Sequence, residues 1–407
     1  MIILKLKNAD QETKIDFPCL HEHIRYRMEE IVLDGTNAPK VLVREVKAPR
    51  ALSFLEGLEV NVDEINYLAN EIESLGEKYA EKLYAIAEYK GYKEPKDLIN
   101  AKFNLDCYTL IQDVRSINDI GRMHLSTLKG GLTQEELDTV DFAKIGRELL
   151  DSGKGISTEY GILFRNEEIE YKEAYDGQVF PEGWYGCEKH VLEVEIGYNG
   201  KSEYVYLPEE ELAIKKSLKR LGAPYESVCT YQLKGDSFAD REWSEKFKRF
   251  LDTESILAVN AFTELLDRHY VNMDKLLKLS KYAEAEMLGQ VRKLAEQIDE
   301  FDYINGITDA ENLGEYLTGC DPDYCVADEL HPFLDHAGFG EEFLKEHDGR
   351  FIDGGCMYIL DGDKTLEEIL GQSKAPEHMC ERAVPRHSKD SANAVGRRGK
   401  RQHGPGG

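Results

Sequence analysis

Several groups of side chains in this 407-residue chain have types and spacings that could do chemistry. Cys320, Cys325, His331, His336 and Cys356 are ligand types that zinc takes, but CDPDYC is one C-x4-C with no second pair to close a tetrahedral site. Isolated thiols and ordinary histidines explain them more simply. Asp299, Asp302, Asp309 and Glu311 could clamp two divalent ions, as nuclease carboxylates do. No lysine or histidine accompanies them to handle a proton, so a solvated acidic face is the better reading. DGDKTLEE at 361–368 opens like a calcium loop, yet glycine stands second and is missing from the sixth position. His21 and His23 flank Glu22 at a helix start, where an ordinary surface role is expected. The chain has no Walker loop, nucleophile elbow, HExxH or dinucleotide fingerprint. A protein that is not an enzyme and carries no cofactor or metal is the expectation.

Charge is the stronger signal. The formal net charge is −27, from 78 acidic and 51 basic residues, with a pI near 4.9. Residues 374–407 hold eight Lys or Arg and three acids, a local +5, so the remainder stands at −32. Glu296 to Glu368 alone holds 21 acids against Lys345, Arg350 and Lys364, a net −18. Apolar residues such as Ile298, Phe301, Ile304, Leu313, Phe343 and Phe351 recur through that stretch, which a disordered acidic segment would lack. A fold that fixes so many carboxylates repels phosphate and attracts basic surfaces, which excludes a direct nucleic-acid binder. Hydrophobic content of 41% suffices for real cores, and no apolar run reaches the ~18 residues of a membrane span. The opening MIILKLK lacks the apolar stretch of a signal peptide, so a cytoplasmic protein with reduced thiols is expected.

The elements that must position these carboxylates read as α+β. Residues 2–6 and 13–17 alternate as a hairpin, Pro18 closes it, and Leu20 to Val32 has a helical period. Val41 to Val46 is a strand; helices follow along 65–87 and after Pro95, with Asn118 as a cap before Ile120. Phe142 to Leu150 is helical up to DSGKG, and Ile156 to Phe164 reads as one strand. The order then begins again. Val191–Ile196 and Tyr204–Leu207 repeat the hairpin, Pro208 repeats Pro18, and Glu209 to Leu221 repeats the first helix. Val259–Phe262 can be laid on Ile65–Leu68, and 104–125 aligns without a gap on 297–318, pairing Tyr108 with Phe301 and Gly121 with Gly314. LLDSG at 149–153 finds FLDHAG at 333–338, which leaves the second copy without a Gly146–Arg147 equivalent. Two diverged copies follow. The first divides into an N-terminal α/β part (1–60), a helical part (61–130) and a C-terminal α/β part (131–183). The second divides at 184–250, 251–319 and an acidic 320–373, and 374–407 is a Gly-, Pro- and Ser-bearing basic tail expected to be disordered.

The run FAKIGRELLDSGKGISTEYGILF at 142–164 resembles the C-terminal signature of the ArdA-type antirestriction proteins. Phe142, Gly146-Arg147-Glu148-Leu149, Ser152-Gly153 and Tyr160-Gly161 stand where that family has an aromatic, a Gly-Arg-acidic-Leu helix, a Ser-Gly turn and an aromatic before glycine. INYLANEIE, DLINAKFNLDCY and INDIGRMHL also resemble the family's central region. The resemblance covers most of 60–165 and, through the repeat, more faintly 257–360; the second copy has DGGCMY in place of STEYG.

The resemblance implies an elongated acidic DNA mimic, encoded on mobile genetic elements. Its ordered carboxylates would occupy the DNA-binding groove of a type I restriction–modification enzyme. Its mimic surface would comprise Asp106, Asp113, Asp119, Asp141, Glu148, Asp151 and Glu159 in the first copy. In the second it would comprise Asp299, Glu300, Asp302, Asp309, Glu311, Glu315, Asp321, Asp323, Asp328, Glu329 and Asp335. Family members form dimers, so this chain would act either as a monomeric fused pair or as a homodimer. Two other classes stay open: an acidic module sequestering other basic DNA-binding proteins, and a divalent-metal enzyme using the clustered carboxylates. Deleting 374–407 is expected to leave inhibition intact in a restriction assay; loss of inhibition would make the basic tail a second binding element.

Overall fold

The alternating apolar positions of the opening segment close one face of a sheet. Ile2, Leu4 and Leu6 of β1 (Ile2–Asn8) and Thr13, Ile15 and Phe17 of β2 (Gln11–Phe17) are all buried, while their neighbours face outward. Ile24 and Met28 of α1 (His21–Glu30), one turn apart, cover that face. This computed structural model describes residues 1–113, 116–182, 190–268 and 271–371. The basic tail and the boundary at 183–184 lie outside the described residues.

The first copy continues through β3 (Lys40–Ala48), β4 (Glu59–Asn61), α2 (Val62–Ser74), α3 (Glu77–Lys90), α4 (Pro95–Lys102) and β5 (Tyr108–Ile111). Then come α5 (Ile117–Lys129), α6 (Gln134–Thr139), α7 (Phe142–Asp151), β6 (Ile156–Thr158) and β7 (Gly161–Arg165). The second copy runs β8 (Leu192–Tyr198), β9 (Lys201–Leu207), α8 (Glu211–Leu221), β10 (Thr230–Asp236), α9 (Arg241–Thr253), α10 (Ile256–Arg268), α11 (Met273–Tyr282) and α12 (Leu288–Glu296). It ends with β11 (Phe301–Asn305), α13 (Ala310–Cys320), α14 (His336–Glu346), β12 (Arg350–Ile352), β13 (Gly355–Ile359) and α15 (Leu366–Gly371). The fold is α+β; among the described residues there are four small sheets, ordered β2-β1-β3-β4, β9-β8-β10, β5-β7-β6 and β11-β13-β12. Among the described residues there are two large cores, one within 2–180 and one within 192–369, and a small core lies under α5 and α7 and another under α13 and α14.

Side-chain contacts repeat as well as elements. After the hairpin proline, the backbone of Cys19 is held by the Asn66 amide, which accepts from its N–H at 2.9 Å and donates to its carbonyl at 3.0 Å. Asn260 holds Glu209 in the same two bonds, both 2.8 Å. The last two long helices of each copy cross at glycines. A Cβ on Gly121 would stand 1.9 Å from the Phe142 carbonyl oxygen, and one on Gly146 would stand 2.1 Å from that of Ile117. In the second copy the corresponding approaches are Gly314 to His336 and Gly340 to Ala310, both 2.0 Å. Gly340 is therefore the partner of Gly146. The pairing of LLDSG with FLDHAG is corrected: α14 begins at His336, where α7 begins at Phe142, so the second copy keeps the glycine and loses only the arginine, to Glu341.

Other expectations are corrected too. The cap of α5 is Ser116, whose hydroxyl accepts from the Asp119 N–H at 3.3 Å, because Asn118 already lies inside the helix. The segment 156–164 is two strands turning at Glu159–Tyr160, and β5, for which the sequence suggested no strand, pairs with the second of them. The helix α9 went unread, although Trp243, Phe247, Phe250 and Leu251 form a buried stripe at helical spacing.

The glycine crossings generate a direct test. Gly314→Ala would drive the α13 and α14 backbones apart, an overpacking worth roughly 3 kcal/mol. Its thermal midpoint should fall well below that of the wild type, whereas Gly319→Ala, where the nearest atom is 3.9 Å away, should change it little.

Candidate functional site: an acidic surface and the junction behind it

Local backbone needs account for part of the acidic pattern. Asp141, Asp309 and Asp335 are the N-caps of α7, α13 and α14, accepting from the backbone N–H of Lys144, Asn312 and Gly338 at 3.0, 2.9 and 2.9 Å. Asp321 accepts from Asp323 N–H in the turn after α13. Asp302, on β11, accepts from the Tyr358 hydroxyl at 3.1 Å, and Glu300 pairs with Lys364 at 2.8 Å. Asp119 pairs with Arg122 one turn on.

The remaining carboxylates are distributed over the same framework. Asp106 and Asp299 sit at equivalent places in the short turns before β5 and β11; Asp113 follows β5, Glu148 and Asp151 ride on α7, and Glu159 tips the β6–β7 turn. Glu311 and Glu315 lie on α13, while Asp323, Asp328 and Glu329 occupy the connector to α14. Of these eighteen residues, Glu300, Asp302 and Asp321 are half-buried and the rest are exposed. The two modules differ sharply in charge. Residues 104–166 hold ten acids and seven bases, net −3, whereas 297–360 hold sixteen acids and two bases, net −14.

The alternative sites are dispersed. Cys356 is buried in β13, which pushes its thiol up to about 12, while Cys320 and Cys325 are exposed. His336 is held between the Thr318 hydroxyl and the His331 carbonyl, both 3.2 Å. Asp299 sits in the turn before β11, Asp302 on β11, Asp309 at the N-cap of α13 and Glu311 on α13 itself. Among the described residues, no group of three or more His, Cys, Asp or Glu is placed to hold a metal ion. In DGDKTLEE the Thr365 and Glu368 side chains bond each other's backbone N–H, a capping box that starts α15.

Sequence reasoning missed the junction between the copies. The N-terminus of α1 has no cap of its own; Glu210, 189 residues away, accepts from His21 N–H at 2.7 Å and Glu22 N–H at 2.9 Å. Lys216 of α8 reaches Asp63 of α2 at 2.7 Å, with both side chains almost fully buried. Arg220 bonds Glu203 at 3.0 and 3.1 Å, lies over the Phe180 ring at 4.5 Å and stands 3.9 Å from Asp63. A cavity of about 70 Å³ lies among them. Residues 172–180, at the end of the first copy, are strapped down: Asn100 and Asn104 grip the backbone of Lys172 and Tyr175, and Phe180 stacks on Tyr67 at 4.4 Å. Leu20 at the N-cap position, with no side-chain acceptor, was the readable sign that α1 lacks a cap of its own.

His21 is thus not an ordinary surface residue. Burial, with Lys216 and Arg220 adding repulsion against the Asp63 attraction, lowers its pKa to about 4, so it is neutral at pH 7. No protein-family model matches the sequence, and no curated protein matches it. Among the described residues, no helix is long and apolar enough to cross a membrane.

The depressed pKa fixes a pH dependence. The unfolded chain binds this proton below about 6.5 and the folded chain only below about 4, so stability is complete above the first value and falls between them. Urea unfolding at a series of pH values should show His21→Asn losing up to about 3 kcal/mol less than the wild type across that window. Parallel losses would mean that His21 titrates normally.

Proposed function

We propose that this chain is a non-enzymatic cytoplasmic inhibitor that mimics DNA and occupies the DNA-binding groove of a type I restriction–modification enzyme. The observation that carries the reading is a recurrent framework, two helices crossed at glycine over a three-stranded sheet, that holds exposed carboxylates on each copy. Acidic residues three or four apart on a helix lie ~5–6 Å apart. Several helices and turns together can therefore approach the charge density of a duplex, one per ~1.7 Å of axis. Fixed carboxylates also avoid the ordering loss that a flexible acidic tail suffers on binding. The buried junction supports a monomer acting as a fused pair, since it joins the two copies without a second subunit. The net −14 of the second module makes it the principal contact and the first module the auxiliary one.

The test separates collective charge from a single reacting group. DNA cleavage by a purified type I enzyme is measured against inhibitor concentration and salt. Neutralising Asp299, Glu311, Glu315, Asp323, Asp328 and Glu329 together, which spares the helix caps, should weaken inhibition tenfold or more and flatten its salt dependence. Asp302→Asn alone should weaken it by at most about fivefold. Abolition by Asp302→Asn with the fold intact would favour the divalent-metal enzyme.

A further inference from the structure

The connector from α13 to α14 carries a feature that charge mimicry does not need. Phe333 is 85% exposed, the highest value for a large apolar side chain among the described residues, and Leu330 and Leu334 beside it are 52% and 38% exposed. All three lie in or just after the short turn Asp328–Phe333. The matching connector of the first copy contains the capped helix α6 and no aromatic residue between 130 and 141. Large exposed apolar side chains grouped in this way mark a contact surface.

Charge decides what covers them. The connector, 321–335, carries Asp321, Asp323, Asp328, Glu329 and Asp335 and no lysine or arginine. A second copy docking through the same patch would bring five more carboxylates against these five, and an anionic lipid surface would be repelled likewise. A basic surface with an apolar floor meets both requirements. DNA-binding proteins set apolar side chains beside their basic ones where they contact thymine methyls or wedge between bases. We propose that Phe333, with Leu330 and Leu334, is the apolar anchor that seats this chain in the basic DNA-binding groove of its target, an inference that rests on the mimic reading above. The carboxylates match contacts that DNA itself makes. The anchor adds a contact that a phosphate backbone lacks and that salt does not screen, so the inhibitor gains an advantage over DNA at high ionic strength. A buried aromatic surrounded by a charged rim is the arrangement that concentrates binding energy at protein interfaces.

The experiment measures binding of the full chain to a purified type I methyltransferase core by calorimetry at about 0.1 M and about 0.3 M salt, conditions that change screening. Phe333→Ala is expected to bind at least tenfold more weakly at both, with the wild-type salt dependence retained and an unchanged thermal midpoint, since the ring makes little of the fold. Leu330→Ala should act in the same direction by a smaller factor. Wild-type affinity in Phe333→Ala overturns the anchor while leaving the mimic reading intact. Absence of binding by the wild type overturns both. Light scattering supplies the remaining arm: a wild-type dimer that Phe333→Ala dissociates would assign the patch to a contact between copies and overturn the proposal.

Discussion

Asp63 and Lys216 form an ion pair that neither copy could bury alone. Removing either partner would strand a charge in a low-dielectric site, which typically destabilises by several kcal/mol. Around the pair, Glu210 caps the first helix of the other copy, Arg220 joins Glu203 to the Phe180 ring, and Lys219 bonds Asn37 at 2.6 Å. Unlike apolar contacts, these bonds are directional, and they fix how the second hairpin sits on the first copy. Any surface that runs across both copies depends on that geometry.

The helix crossings do for each module what the junction does for the pair. Backbone meets backbone at Gly121–Gly146 and at Gly314–Gly340, so each helix pair has little freedom to slide. Carboxylates two positions from the crossing glycine, Asp119 and Glu148, point well away from the contact by the ~100° turn per residue. Burial of the small cores, Ile111, Ile120 and Phe164 in one copy and Leu313, Leu317 and Phe343 among others in the second, holds the outer faces in place. Strong mutual repulsion in the −14 module is tolerated because the repelling groups stay solvated while the apolar faces close beneath them.

Much of this architecture was legible because period and punctuation act locally. Alternation in Ile2–Leu6 and Val191–Ile196, each hairpin followed by a proline and a helix, sufficed to register one copy on the other. The gapless match of Gly121 with Gly314 was visible for the same reason. What failed needed information from distant residues. The equivalence of Gly146 and Gly340 is defined by a helix crossing, so a five-residue likeness at LLDSG could outbid it. Lys216, Asp63 and Arg220 look like ordinary surface charges until their helices are brought together. The exposed acids were readable as acids, but the caps among them, Asp141, Asp309 and Asp335, show that residue type alone does not separate a structural carboxylate from a binding one.

Occupation of a DNA-binding groove means mutual exclusion with DNA. A labelled duplex bound to a purified type I restriction–modification enzyme, titrated with this chain, tests that directly. Complete displacement is expected, with the half-displacing concentration rising in proportion to the duplex concentration. A ternary complex that keeps the duplex bound, or a half-displacing concentration indifferent to the duplex, would contradict it.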